Sequence, residues 1–283
     1  MAAACLPYSA PARARDLVTT NDWVTTNDWS RERVRDLARA IARDASAFER
    51  LAHKDWRYVF RAPDVERGSV VVKLWARPAL ASRLSARFGF GALAHEWKNL
   101  RRARAAGLAV PEPLGLAVLA SEAAPFTDAL VLEDLGRLSV ATDHVKACIA
   151  AGEERALAAF ETALVELTAR FVEAAIVDTD HGLVNTLVDQ RGAPVRIDLE
   201  QARRLRRAWG AEERLGRMLG HLLTTYTFAV QPDTRRVLAF AELLQSRLRP
   251  DPVVRRVARD YLAARLELQQ QRIGLDVRVT LPW

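Results

Sequence analysis

The spacing of apolar positions changes along this chain, and the change divides it. Val34, Leu37, Ile41, Ala45 and Phe48 recur every three or four residues. That period predicts a helix with one face against the protein body, and Ser30 in front of it is a candidate N-cap. The period then falls to two. Trp56 to Phe60 and Ser69 to Trp75 predict two strands joined by a turn over Pro63 to Gly68. In the second strand Val70, Val72 and Leu74 share one face, and Val71, Lys73 and Trp75 share the other. A helix is predicted over Ala94 to Ala106, stopped by Gly107, with Leu93, Trp97 and Leu100 as its apolar stripe. Short strands follow around Leu116 to Leu119 and Ala129 to Leu132. From Glu154 to Ile176 the helical period takes over, carried by Leu157, Phe160, Leu164, Leu167 and Phe171. One hairpin interrupts it: Thr186 to Val188 and Val195 to Ile197, separated by the polar turn Asp189-Gln190-Arg191-Gly192. Ala211 to Val230, Thr234 to Leu248 and Pro252 to Gln271 then predict amphipathic helices.

Two charges break this pattern. Lys73 sits mid-strand among apolar residues, and Glu96 falls inside the apolar stripe of its helix. A buried ammonium or carboxylate needs a counter-charge. Each alone has an ordinary explanation, such as a lysine snorkelling from an edge strand. In this order they support one another. Around the hairpin, Asn185 and Asp198 fall at neighbouring strand ends, and Asp180 lies in the loop just before. Asp and Asn favour turns in any protein. Three converging oxygen-bearing side chains also suit Mg²⁺-assisted phosphoryl transfer, which needs hard oxygen ligands and a carboxylate to orient the attacking hydroxyl.

Asp180 with Asn185 five residues on, then Asp198-Leu199-Glu200 closing a hairpin, resembles the catalytic loop and the metal-binding Asp-Phe-Gly element of the protein-kinase-like fold. Lys73 and Glu96 resemble the pair that holds nucleotide phosphates there. Glu133-Asp134-Leu135-Gly136 resembles the hinge between the lobes. The resemblance implies an α+β, bilobal fold. A small β-rich N-lobe with one main helix would occupy residues 30–134, and a larger, mainly helical C-lobe residues 135–283. It implies ATP and Mg²⁺ as cofactors. Asp180 and Lys73 would be catalytic, Lys73 and Glu96 would fix the α- and β-phosphates, and Asn185 and Asp198 would hold the metal. Backbone groups at Glu133 and Leu135 would meet the adenine edge.

The stretch from Trp75 to Gly115 makes the family more specific. His95-Glu96-Trp97-Lys98-Asn99-Leu100 and the later Val110-Pro111-Glu112-Pro113 are similar to the bacterial lipopolysaccharide kinases. Those enzymes phosphorylate 3-deoxy-manno-octulosonic acid (Kdo) or heptose in the inner core. The similarity runs from about Trp56 to about Arg204. Departures from the protein-kinase pattern point away from protein kinases, towards a small-molecule or glycan kinase, and leave open a catalytically dead member. No Gly-x-Gly-x-x-Gly loop stands between the first two strands, Asp178-Thr179 replaces the usual His-Arg, and Glu200 replaces a glycine. Two other readings compete: an aminoglycoside-type phosphotransferase and a non-catalytic kinase-fold binding protein. The intact set of Lys73, Glu96, Asp180, Asn185 and Asp198 disfavours the latter. The Trp75 to Pro113 stretch disfavours the former.

Composition adds the partner. The chain has 283 residues and a formal net charge of +7, and lysine occurs only at Lys54, Lys73, Lys98 and Lys146. The positive charge is therefore arginine, with clusters at Arg101-Arg102-Arg104 and Arg203-Arg204-Arg206-Arg207. Arginine's planar fork binds two phosphate or carboxylate oxygens at once. An anionic glycan or lipid-linked glycan acceptor is expected, met by peripheral contact at the inner face of the cytoplasmic membrane. Nucleic acid is not expected, because neither zinc-ligand spacing nor a basic run interleaved with aromatics occurs. Cys5 and Cys148 form no disulfide framework, which fits reduced thiols in the cytoplasm. A six-residue repeat, Val18 to Trp23 and Val24 to Trp29, reads as a small tandem duplication in an N-terminal extension over residues 1–29. Nothing in the pattern specifies an oligomeric state.

Overall fold

A computed structural model describes residues 29–76, 91–119, 125–205, 210–274, 277–281 and 283. Most of the tandem repeat, Cys5, and Arg77, Arg83, Arg87, Arg206 and Arg207 lie outside them.

The first helix, α1 (Arg31–Arg43), starts where the sequence predicts: Ser30 Oγ accepts from the Arg33 N–H at 3.1 Å. It ends one turn early. Asp44 turns its carboxylate onto Ser46 N–H, and a short 3₁₀ turn over Ala45–Ala47 follows. Side chain-to-backbone bonds of this kind compete with the helix. Strands β1 (Glu49–Lys54), β2 (Arg57–Asp64), β3 (Gly68–Trp75), β4 (Pro113–Val118) and β5 (Asp128–Glu133) form one antiparallel sheet in the order β1-β2-β3-β5-β4. The alternation in β3 sorts its residues as expected. Val70, Val72 and Leu74 pack under α1 with Val34, Ala38 and Ile41. Trp75 and the half-buried Val71 pack on the opposite face with Leu93, Trp97 and Leu100 of α2 (Ala92–Ala105).

Beyond β5 lie the two-residue strand β6 (Ser139–Val140), α3 (Ala141–Ala151) and α4 (Glu154–Glu173). The pattern-predicted α4 ran to Ile176. It stops sooner because Ala175 adopts a left-handed φ of 55° and hands the chain to β7 (Ile176–Asp178). The hairpin β8 (Thr186–Val188) and β9 (Pro194–Arg196) pairs antiparallel with Thr186 opposite Arg196, its second strand one residue earlier than the pattern predicts, and β10 (Ala202–Arg204) returns to pair with β7. Helices α5 (Ala211–Val230), α6 (Thr234–Leu248) and α7 (Pro252–Ile273) complete the chain. The larger core gathers Leu157, Phe160 and Leu164 of α4, Leu222, Leu223 and Tyr226 of α5, and Phe240 and Leu244 of α6. Each such fully buried side chain stabilises the fold by roughly 1.5–3 kcal/mol relative to exposure. At the α5–α7 crossing a Cβ on Gly220 would lie 2.8 Å from the Ala258 carbonyl oxygen. Glycine there lets the two backbones meet. An antiparallel sheet in the N-terminal part and a helical C-terminal part make the molecule α+β and bilobal. No helix among the described residues is long and apolar enough to cross a membrane.

Candidate active site

Lys73 projects from the middle of β3 towards α2. Its Nζ lies 2.6 Å from Glu96 Oε1 and 3.4 Å from Asp198 Oδ1. Glu96 is 1% exposed, as its place in the apolar stripe requires. Burial opposes the Lys73 charge, but Glu96 and Asp198 outweigh it and raise its pKa. Burial pushes Glu96 up to about 7, against the pull of Lys73 and with Asp198 adding repulsion. Burial also works against the Asp198 carboxylate, yet Lys73 and Arg196 hold its pKa below the ordinary value. Three residues beyond Glu96 on α2, Asn99 gives its Nδ2 protons to the carbonyls of Leu199 (2.9 Å) and Ala202 (2.8 Å). One helix thus pairs the lysine and anchors the segment that carries Asp198. Asp198 itself has φ of 60°, a strained backbone for any side chain but least so for Asp and Asn. Glu200, the residue that departs from glycine, makes an ion pair with Arg57 of β2 at 3.1 Å.

The loop from Asp178 to Asn185 hangs on a residue the sequence reading passed over. Arg196 is fully buried and pairs with the equally buried Asp178 at 2.5 Å. It also donates to the carbonyls of Asp180 (2.7 Å), Ile197 (2.7 Å) and Asn185. The Asp178 that stands in place of the kinase histidine is therefore the anchor of the loop. Arg196 was findable: it sits between Val195 and Ile197, a charge in an apolar run like Lys73. Asn185 Nδ2 donates to Asp180 Oδ2 at 2.8 Å and to the Asp180 carbonyl at 3.2 Å. Asn185 and Asp198 lie side by side through the Ile197 N–H to Asn185 carbonyl bond at 3.0 Å. His181 is buried against Phe171, its Nε2 bonded to Thr168 Oγ1 at 2.9 Å. Burial holds it well below its ordinary pKa, so it is neutral.

Among the described residues no cluster of three or more His, Cys, Asp or Glu could cage a metal ion. Asp198 and Asn185 nonetheless fit Mg²⁺. Both Asn185 Nδ2 bonds go to Asp180, which leaves Oδ1 as the free amide atom, and the Asp198 carboxylate is 31% exposed. One or two protein oxygens with water and phosphate completing the octahedron is how this ion is usually held.

At the segment after β5, Asp134 is more than a turn residue. It accepts from Arg61 Nε (2.6 Å), Ser69 Oγ (2.7 Å) and the Gly136 N–H (2.9 Å). Burial raises its pKa, but the Arg61 and Ser69 bonds outweigh that and lower it overall. The Glu133 side chain is engaged by the Glu112 N–H at 3.0 Å. The Leu135 N–H has no hydrogen-bond partner among the described residues.

A cavity of about 420 Å³ opens beside Asp180 and Asp198. Its far wall was not foreseen: Arg217 and His221 come from α5, Tyr261 and Arg265 from α7. Arg203 and Arg204 of the predicted cluster do not line it. Arg203 donates instead to the carbonyls of Glu200 (3.1 Å) and Ala202 (2.9 Å).

A strand lysine paired to a glutamate of the packed helix and to a second acid just past a hairpin is the arrangement of protein-kinase-like phosphotransferases. The family model described as lipopolysaccharide kinase (Kdo/WaaP) family matches residues 67–245, and the chain belongs to that family. The match runs past Arg204 through α5 and most of α6, further than the similarity in sequence alone. Among solved structures the chain is similar to one described as WaaP in complex with acyl carrier protein. The two are 18% identical with a TM-score of 0.50, over 82% of this chain and 90% of that chain, and they share the fold. It is also similar to the kinase domain of a Toxoplasma gondii specific rhoptry antigen, 15% identical over 78% of this chain and 82% of that chain, with a TM-score of 0.44. No curated protein matches the chain.

Proposed function

We propose that this protein transfers the γ-phosphoryl group of Mg-ATP to a sugar hydroxyl, of Kdo or heptose, in the lipopolysaccharide inner core. The observation that carries the reading is Lys73 Nζ held between Glu96 and Asp198 at 2.6 and 3.4 Å. That pairing supports a cation at the point where nucleotide phosphates would meet the proposed metal-binding acid. Lys73, fixed by Glu96, grips the α- and β-phosphates. The Glu133 carbonyl and Leu135 N–H take the adenine edge, at a division between lobes that we set at residues 134–135. Asp198 and Asn185 Oδ1 would hold Mg²⁺, which would supply neutralisation of phosphate charge. Asp180, 45% exposed to the cavity and held by Asn185, orients the acceptor hydroxyl and accepts its proton.

The acceptor occupies the cavity. Arg217 and Arg265 on its far wall suit phosphate or carboxylate groups on an anionic glycan. With no membrane-crossing helix among the described residues, a lipid-linked acceptor is met by peripheral, salt-sensitive contact at the cytoplasmic face. The WaaP relative was solved with acyl carrier protein, and the +7 charge of this chain leaves room for an acidic protein partner as well. The test is incubation with Mg-ATP and inner-core oligosaccharide freed of lipid, read by intact mass. A gain of one phosphate, absent in Asp180→Ala, supports the reading. Transfer to aminoglycosides and not to the oligosaccharide overturns the acceptor assignment.

A further inference from the structure

Asn185 holds one oxygen of the Asp180 carboxylate. The other, Oδ1, faces His221 Nε2 at 3.4 Å. That nitrogen is shut off from solvent and makes no hydrogen bond in this geometry. Behind it, His221 Nδ1 lies 3.2 Å from the Tyr261 hydroxyl, which accepts from Arg265 Nε at 3.1 Å. The two ends set a direction. A guanidinium can only donate, and an ionised carboxylate can only accept. The arrangement that satisfies every pair runs one way: Arg265 Nε–H to Tyr261 Oη, Tyr261 Oη–H to His221 Nδ1, and His221 Nε2–H to Asp180 Oδ1. The reverse tautomer would set the Nε2 lone pair against the carboxylate.

The packing that brings His221 there is specific. A Cβ on Gly182 would lie 3.0 Å from His221 Cδ2 and Nε2, and 2.9 Å from Thr225 Cγ2. Gly182 is extended, so its glycine serves this close approach and not an unusual turn. Burial lowers the His221 pKa. Asp180 and Asp178 pull it upward, Arg265 and Arg196 push it down, and the net direction is down, so the ring is neutral and has one proton to place.

We infer that Arg265, Tyr261 and His221 form a one-directional donor chain that orients Asp180, with His221 as a positioning residue for phosphoryl transfer. The inference rests on the proposed reading of Asp180. The chain is incomplete without α7, so it ties the last long helix to the reacting carboxylate. Catalytic contacts are often long before substrate binds and tighten afterwards, which accommodates the 3.4 Å separation.

Two measurements test it. The first needs no activity. Long-range ¹H–¹⁵N correlation on the full chain, with the His221 signals identified by their loss in His221→Gln, reports the tautomer directly. The neutral Nε2–H form is expected; the Nδ1–H form overturns the chain. The second uses Mg-ATP and lipid-free inner-core oligosaccharide. His221→Leu should lower kcat by about 10–100-fold with KM for ATP within about twofold. His221→Gln, whose amide nitrogen reaches the Nε2 position, should recover to within about threefold of wild type, whereas His221→Asn, which reaches only the Nδ1 position, should not. Tyr261→Phe should cost about 3–10-fold and add nothing to His221→Leu, because linked groups are non-additive. Equal losses in the Gln and Asn variants, or additive losses with Tyr261→Phe, reduce His221 to packing and overturn the inference. An Asp180→Ala protein that still transfers phosphate overturns the role given to Asp180 instead, and the tautomer measurement then decides the donor chain alone.

Discussion

The two walls of the site are built on opposite electrostatic plans. On the side proposed to hold nucleotide, Lys73 meets two acidic side chains, Glu96 and Asp198, so its charge is matched within the chain. On the cavity side Arg265 is exposed, donates to the Tyr261 hydroxyl and has no carboxylate partner among the described residues. Arg217 shares only a surface pair with Glu213 at 2.7 Å. Such surface pairs contribute little. The contrast separates two tasks. The first wall must stay in one geometry whatever is bound, so its charges are matched within the chain. The second must accept charge from outside, so its arginines are left short of anions.

The sharpest way to break this comparison is Asp198→Ala. It removes the acid that faces Lys73 and is proposed to hold the metal, and turnover of Mg-ATP should fall by about a thousandfold or more. Near-wild-type turnover in a steady-state assay would sink the metal assignment. Next in size is Arg196→Met. It leaves Asp178 as an uncompensated buried charge, and stability should drop by about 3–5 kcal/mol in chemical denaturation. A smaller loss would mean that the loop is held by its other contacts.

Glu96 gives a pH signature. Its folded pKa of about 7 exceeds the ordinary 4.5, so between those values the folded chain holds a proton that the unfolded chain releases. Its contribution is fully present below 4.5 and is lost as pH rises through 7. Glu96→Gln should remove this slope, and relative to it the wild type should lose on the order of 2 kcal/mol between pH 4.5 and 7.5. Parallel pH–stability curves would show that the Lys73 pair holds the group ionised throughout.

The two smallest effects separate the walls. Arg217→Gln should raise KM for the oligosaccharide about 3–10-fold with KM for ATP unchanged, as expected for loss of one charge-assisted contact. The double change Arg203→Gln and Arg204→Gln, outside the cavity, should alter neither KM by more than about twofold. If the order is reversed, the acceptor enters over β10 and not between α5 and α7.

The nucleotide wall was legible in the sequence because its charges break an apolar period. Lys73 stands out in Val71-Val72-Lys73-Leu74-Trp75, and Glu96 stands out in the stripe of Leu93, Trp97 and Leu100. The helices α5 and α6 matched their predicted bounds to the residue, since a strong helical period survives any tertiary context. Strand β1 left no trace because all six of its residues are exposed, so nothing in it alternates. Helix α3 buries only Ala141, Val145 and Cys148, too little apolar bulk to set a period. The cavity wall failed for another reason. His221, Tyr261 and Arg265 sit on amphipathic helices, where a polar residue facing a cavity and one facing solvent follow the same spacing. They also lie far from Asp180 along the chain, so only the α5–α7 crossing brings them together.

The two Asn99 bonds have a mechanical consequence. Because one side chain clasps the carbonyls of Leu199 and Ala202, α2 and the Asp198 segment are latched to one another. Swinging the helix outward would break both bonds and the Lys73–Glu96 contact in one motion, at roughly 1 kcal/mol for each neutral bond and more for the charged one. A latch of that kind keeps the assembly engaged at rest.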